Sequence, residues 1–280
     1  MIDPVLEGHY NVRAAIPDHA DYFERWVKQS DDWRRRADAK FDAQYGDGAN
    51  ERIDLYKPGN PNAPVHMFIH GGYWQARTKE EFAFLSESLV NAGALVAMVE
   101  YELCPTVTLE TIVDQMRRAL GWLYHNAVEF GGNANRIHIS GHSAGGHLTA
   151  MMMATDWQAM DETLPQDLVK SGVSISGLFD LEPLCHTSIN DAVGLDVQTA
   201  KRLSPAFMNP VSSGPLALAV GGAESEAFHA QSALIEKNWG AAGTKLSRLN
   251  LAGCNHLSAV QQLADPKSEL FSVASSFLNV

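Results

Sequence analysis

Much that would announce a function is missing from this chain. Only 3 of its 280 residues are cysteine, Cys104, Cys185 and Cys254, and they lie far apart. With no CxxC pair, a disulfide framework is not expected, and unpaired thiols suit a reducing, cytoplasmic setting. H-E-x-x-H is absent, and His138, His142 and His147 do not share a ligand spacing, so no metal site is expected. There is no P-loop and no G-x-G-x-x-G after a first strand, so no cofactor of the nucleotide type is expected either. Positive charge is scarce: 21 basic against 33 acidic residues give −12 with histidine neutral. Neither nucleic acid nor an anionic membrane attracts such a surface. The opening residues MIDPVLEGHYNVR lack a basic region followed by an apolar core, so no signal peptide is expected. The longest stretches free of charged residues are 137–155 and 203–223. The first is full of His, Ser and Gly, and the second holds Pro205, Pro210 and Pro215. Neither reads as a span, which needs ~20 mostly apolar residues. Internal repeats and low-complexity tracts are also lacking.

What is present is ordinary globular material, 45% hydrophobic and 19% charged. Residues 17–45 read as a helical arm, with Tyr22, Phe23, Trp26, Val27, Trp33 and Phe41 spaced among charges. Arg34-Arg35-Arg36 stands beside Asp31, Asp32 and Asp38, the composition of a solvated helix face. Strand-like runs follow at 51–56, 65–69, 94–99, 136–140, 173–176, 216–220 and 245–251. Helical stretches separate most of them, at 79–92, 109–130, 147–155 and 227–239. That alternation predicts an α/β fold with a mostly parallel sheet and helices on both faces, using residues 1–280 as one domain. Residues 180–212, loop-rich with Pro183, Pro205 and Pro210, break the rhythm. They are expected to form a small cap over the carboxyl edge of the sheet, where open α/β sheets bind ligands.

Gly141-His142-Ser143-Ala144-Gly145 matches G-x-S-x-G between the strand RIHIS and a helical stretch. The pattern alone is weak, but the strand–turn–helix setting is the one that holds a nucleophilic serine above a sheet. Upstream, His70-Gly71-Gly72-Tyr73-Trp74 ends the strand VHMFI. Glycines there let backbone N–H groups turn toward a developing oxyanion. The expected donors are Gly72, Tyr73 and Ala144, with Gly71 a competitor, and His70 is expected to brace the loop. A serine needs a base. His256, in the loop after the last expected strand, is the candidate. The acid that fixes its tautomer should follow the strand PLALAV, which offers Glu224 first and Glu226 second; Asp180 is a third option. These residues predict a serine hydrolase.

Together they resemble the α/β-hydrolase superfamily near the hormone-sensitive-lipase-like esterases, and within it the arylformamidase branch. HGGYW, GHSAGGH at 141–147, FDLEPL at 179–184 and Thr187-Ser188-Ile189-Asn190 carry the resemblance, as do the stretch before Tyr45-Gly46 and ERIDLYKPG. Glu224 departs from it, since Asp is commoner there. The resemblance implies hydrolysis of a formyl amide on an aromatic amine, as in N-formylkynurenine giving kynurenine and formate. It implies a substrate pocket at Tyr73, Trp74, His142, Ser188 and Asn190. The alternatives are a carboxylesterase or thioesterase with the same machinery, and a non-catalytic binding module on the same fold. The expected partner is a small-molecule amide or ester, and a homodimer is the assembly considered.

Overall fold

Leu95–Val99 (LVAMV) and Leu216–Gly221 (LALAVG) are buried along their whole length. Strands without a polar face must be covered on both sides, which is the situation of a parallel sheet between helices. The computed structural model of the chain, which describes residues 1–279, places both inside an eight-stranded sheet. Its strands are β1 (Ala39–Gln44), β2 (Arg52–Tyr56), β3 (Ala63–Ile69), β4 (Leu95–Val99), β5 (Gly132–His142), β6 (Val169–Ile175), β7 (Leu216–Gly221) and β8 (Leu246–Leu251). The order is β1-β2-β4-β3-β5-β6-β7-β8. The two pairings of β2, to β1 and β4, are antiparallel. All pairings from β4 to β8 are parallel.

Alternation along the strands feeds two cores. Val65, Met67 and Ile69 of β3 enter one, and Phe68 the other. His66 and His138 are buried between strands, where they are bonded to Ser140 Oγ (2.7 Å) and Ser171 Oγ (2.8 Å). Burial disfavours the charged imidazole, so His66 is pushed down to about 3 and His138 to about 4.

The arm differs from its expectation. The helix His19–Arg36 ends at Ala37, which is extended, and 39–44 form edge strand β1 rather than helix. Ala39, Phe41 and Ala43 alternate with Lys40, Asp42 and Gln44, a period of two that suits a half-buried strand. The helix itself docks by Trp26, whose ring meets Phe82 and Phe84 at centroid distances of 5.2 and 6.0 Å, and by Trp33, bonded to Ser86 Oγ at 2.7 Å. Each such aromatic burial contributes roughly 2–3 kcal/mol. Two short helices precede it, Pro4–Tyr10 and Val12–Ala15. Among the described residues no helix is long and apolar enough to cross a membrane.

Candidate active site

β5 ends at His142 and the helix Ala144–Met153 begins two residues later. Only Ser143 stands between them, at φ 57° and ψ −115°, a conformation that costs a non-glycine residue ~1–3 kcal/mol. Its neighbours permit the turn. A Cβ on Gly145 would lie 2.0 Å from the Ile69 carbonyl oxygen, so only glycine fits. Ser143 N–H donates to Ile175 O at 2.8 Å, tying the turn to the end of β6.

His256 opens the helix His256–Gln261, whose start is fixed by a capping box between Asn255 and Ser258. Its Nδ1 lies 2.6 Å from Glu224 Oε2. The proton therefore sits on Nδ1 when the ring is neutral, leaving Nε2 as the basic nitrogen. The second carboxylate oxygen of Glu224 accepts from Gly221 N–H at 2.7 Å and Ser176 Oγ at 2.5 Å. The side chain of Glu224 is 1% exposed. Glu226 is exposed at the first position of the helix Glu226–Ala241, and Asp180 instead accepts from Glu182 N–H at 3.1 Å. Of the three carboxylates, Glu224 alone contacts His256.

Ser176 is a site residue that the sequence did not reveal. It directly follows β6 with φ 52°, and its N–H donates to Ala219 O at 2.7 Å. A lone serine after a strand carries no motif; only the position of the strand end, one strand over from the nucleophile, could have marked it.

The loop after β3 is held from below by His70. Nδ1 lies 2.8 Å from Gly71 O and Nε2 2.8 Å from Glu100 Oε1, while the ring stacks on Tyr101 at 4.2 Å. The loop passes hard against the nucleophile: a Cβ on Gly71 would lie 3.1 Å from Ser143 Cβ. The N–H groups of Gly71, Gly72, Tyr73 and Ala144 donate to no protein acceptor among the described residues. Free donors beside a serine at a strand end can stabilise charge on an oxygen bound there.

Ser143, His142 and His256 line a cavity of about 380 Å³ together with Gly72, Tyr73 and Ser188. That is within the size of small-molecule sites. The ring of Tyr73 faces the cavity, but its hydroxyl donates to Tyr10 O at 2.6 Å. His142 Nε2 lies 2.9 Å from His256 O; burial and the neighbouring His256 keep its pKa well below the ordinary histidine value, so it is neutral.

Two residues expected on the wall lie elsewhere. Trp74 is fully buried, with its ring edge-to-face on His147 at 5.1 Å; positive φ at both Tyr73 (51°) and Trp74 (57°) turns it inward. Asn190 is committed to Leu195, accepting from its N–H at 2.7 Å and donating to its carbonyl at 2.9 Å. The stretch 180–212 does carry short helices, yet it reaches the cavity only through Ser188 and Ile189. Most of the roof is N-terminal: Tyr10, Asn11, Val12 and Arg13, with Phe23 and Trp26 beside them.

Residues 53–236 match the BD-FAE family. The chain is 33% identical over 231 residues to the kynurenine formamidase of Danio rerio, covering 80% of this chain and 76% of that one. It is 31% identical over 240 residues to the kynurenine formamidase of Salmo salar, covering 83% and 79%. Among solved structures, a Silicibacter protein assigned as a thioesterase superposes with a TM-score of 0.85 at 33% identity, covering 96% of this chain and 98% of its own.

Proposed function

The chain belongs to the BD-FAE family and to the kynurenine formamidase branch of the α/β-hydrolases, and from that premise we propose a serine hydrolase that deformylates an N-formylated aromatic amine, as in N-formylkynurenine giving kynurenine and formate. Ser143 Oγ attacks the formyl carbon while His256 Nε2 takes its proton. The carbonyl oxygen becomes an oxyanion held by N–H donors of Ala144, Gly72 and Tyr73, with Gly71 a neighbouring donor; losing one such donor typically costs ~3 kcal/mol. The imidazolium, stabilised by Glu224, protonates the leaving nitrogen, and the C–N bond breaks to release the amine. A water then gives its proton to His256 and attacks the formyl ester on Ser143. Collapse returns the proton to Ser143 Oγ and frees formate. Ser176 positions Glu224 by occupying the carboxylate oxygen that His256 does not use.

The observation that carries this reading is the 2.6 Å contact of His256 with Glu224 on the cavity that Ser143 also lines. The test is formate release from N-formylkynurenine by the wild type and by Ser143→Ala. Release that survives the substitution would sink it. The likeness to a protein assigned as a thioesterase favours a second reading, short-chain ester or thioester cleavage by the same residues. Comparing kcat/KM for formyl amides with that for acetyl and butyryl thioesters separates the two. We place the reaction in the cytoplasm, which free thiols at Cys104, Cys185 and Cys254 support. A homodimer remains the assembly to test, by sedimentation of the purified chain.

A further inference from the structure

The charge of the cavity runs against the charge of the chain. On a protein of net charge −12, none of the cavity-lining residues is Asp or Glu, and two are arginines, Arg13 and Arg77. The two arginines are not equivalent. Arg77 is already neutralised: its Nη1 lies 3.1 Å from Glu81, and its guanidinium carbon sits 3.6 Å over the ring of Phe23. Arg13 has no carboxylate partner among the described residues. Of the two acidic side chains that flank it in sequence, Asp18 makes no ion pair with it, and Glu7 is spent elsewhere, accepting from Ser188 N–H at 2.8 Å and Ser188 Oγ at 2.7 Å.

The backbone that carries Arg13 is also fixed in place. Tyr10 O accepts from Tyr73 at 2.6 Å, Tyr10 Oη accepts from Gln231 at 2.9 Å, and His9 O accepts from Ser225 at 2.8 Å. Asn11 accepts from Ala14 N–H at 3.1 Å, which starts the turn bearing Arg13. Arg13 is exposed at the mouth of the cavity, and an unpaired guanidinium on an anchored backbone, beside a lining free of carboxylates, is available to an anion. Its planar fork suits a carboxylate in particular.

We propose that Arg13 determines substrate specificity by binding a carboxylate on the leaving-amine side of the substrate. This rests on the amide-hydrolase reading of the site. The aromatic walls hold the ring, and Arg13 at the roof holds the charged substituent while the formyl group meets Ser143. Neutral formanilides would react in the same cavity without that contact.

The experiment is kcat/KM for N-formylanthranilate (carboxylate-bearing) and formanilide (neutral) with the wild type, Arg13→Gln and Arg13→Lys. The wild type should favour the carboxylate, and the preference should shrink as salt rises. Arg13→Gln should lower the anionic-to-neutral ratio by about tenfold or more, mainly through KM, with Arg13→Lys restoring part of it. A ratio within about twofold of wild type in Arg13→Gln, or a wild type that favours the neutral substrate, overturns the proposal. If neither formamide is cleaved, the amidase reading fails by itself. The same ratio is then read on 3-acetoxybenzoate against phenyl acetate, and it decides the role of Arg13 by the same criteria.

Discussion

The floor and the roof of the cavity are made from different material. The floor is the carboxyl edge of the parallel strands. Ser143 and His256 are 2% and 6% exposed there, and both oxygens of Glu224 are occupied. The roof is two short helices, of 7 and 4 residues, with exposed surfaces. Helices that short have no intrinsic stability in water; they are held by side-chain bonds to the rest of the molecule. The floor is rigid because removing any part of it exposes or orphans buried groups. The roof is held instead by side-chain hydrogen bonds to distant parts of the chain, several of them partly exposed. The proposed mechanism puts bond-making chemistry, which tolerates little misplacement, on the first, and the proposed role of Arg13 puts choice of substrate on the second.

The comparison can be broken most directly at the nucleophile. Ser143→Ala should lower kcat by roughly 10⁴–10⁶-fold with KM little changed, as measured by formate release. Glu224→Gln should cost roughly 10³–10⁴-fold in kcat, because the amide can hold the wrong histidine tautomer. An equal loss in Glu226→Gln would contradict the division.

Acid should weaken the floor before the roof matters. His66 is held down to about 3, and His138 and His147 to about 4, by burial. Between those values and about 6.5 the unfolded chain binds more protons than the folded one, so stability falls as pH drops through that window. Each such histidine contributes roughly 1 kcal/mol per pH unit. Tm measured from pH 7 to 4.5 should decline steadily, and replacing His66 by Gln should flatten the slope. A Tm independent of pH over that range would refute the account.

Ser176→Ala sharpens the comparison, since it touches the floor without touching the substrate. A drop of about tenfold in kcat is expected. With one donor to Glu224 gone, the carboxylate is held less firmly against His256. The loss should fall on kcat and leave KM within about twofold, a split that a general structural defect would not give. The smallest effect belongs to the roof. Glu7→Ala unties Ser188 and should raise KM by a few-fold with kcat unchanged; a loss confined to kcat would mean that roof and floor are not separable.

Much of the floor was legible because it is written in local patterns. G-x-S-x-G between a strand and a helix points to Ser143, and a histidine after the last strand points to His256. Glu224 and Glu226 are two residues apart, and nothing in the sequence states which folds back toward His256. The turn Gly221–Glu224, closed by Glu224 N–H to Gly221 O at 3.0 Å, makes that choice. The aromatic pair after Gly72 carries no signal that separates plain packing from a place on the cavity wall. Positive φ at Tyr73 and Trp74 divides them, and such values in bulky residues are tertiary effects without a sequence signature. Ser176 depends on the approach of two strand ends. The roof was illegible for a further reason: helices of one or two turns show no hydrophobic period, and they exist only where their partners hold them.

Those partners impose an order on the birth of the protein. Glu7 meets Ser188, His9 meets Ser225 and Tyr10 meets Gln231, across separations of 181, 216 and 221 residues. The segment that roofs the cavity thus leaves the ribosome 181 to 221 residues ahead of what it grips. A nascent chain halted before Glu224 already contains the serine elbow and the glycine loop, but neither the acid, the base nor the anchors of the roof at Ser225 and Gln231. The proposed mechanism therefore cannot run on a partial product that lacks Glu224 and His256.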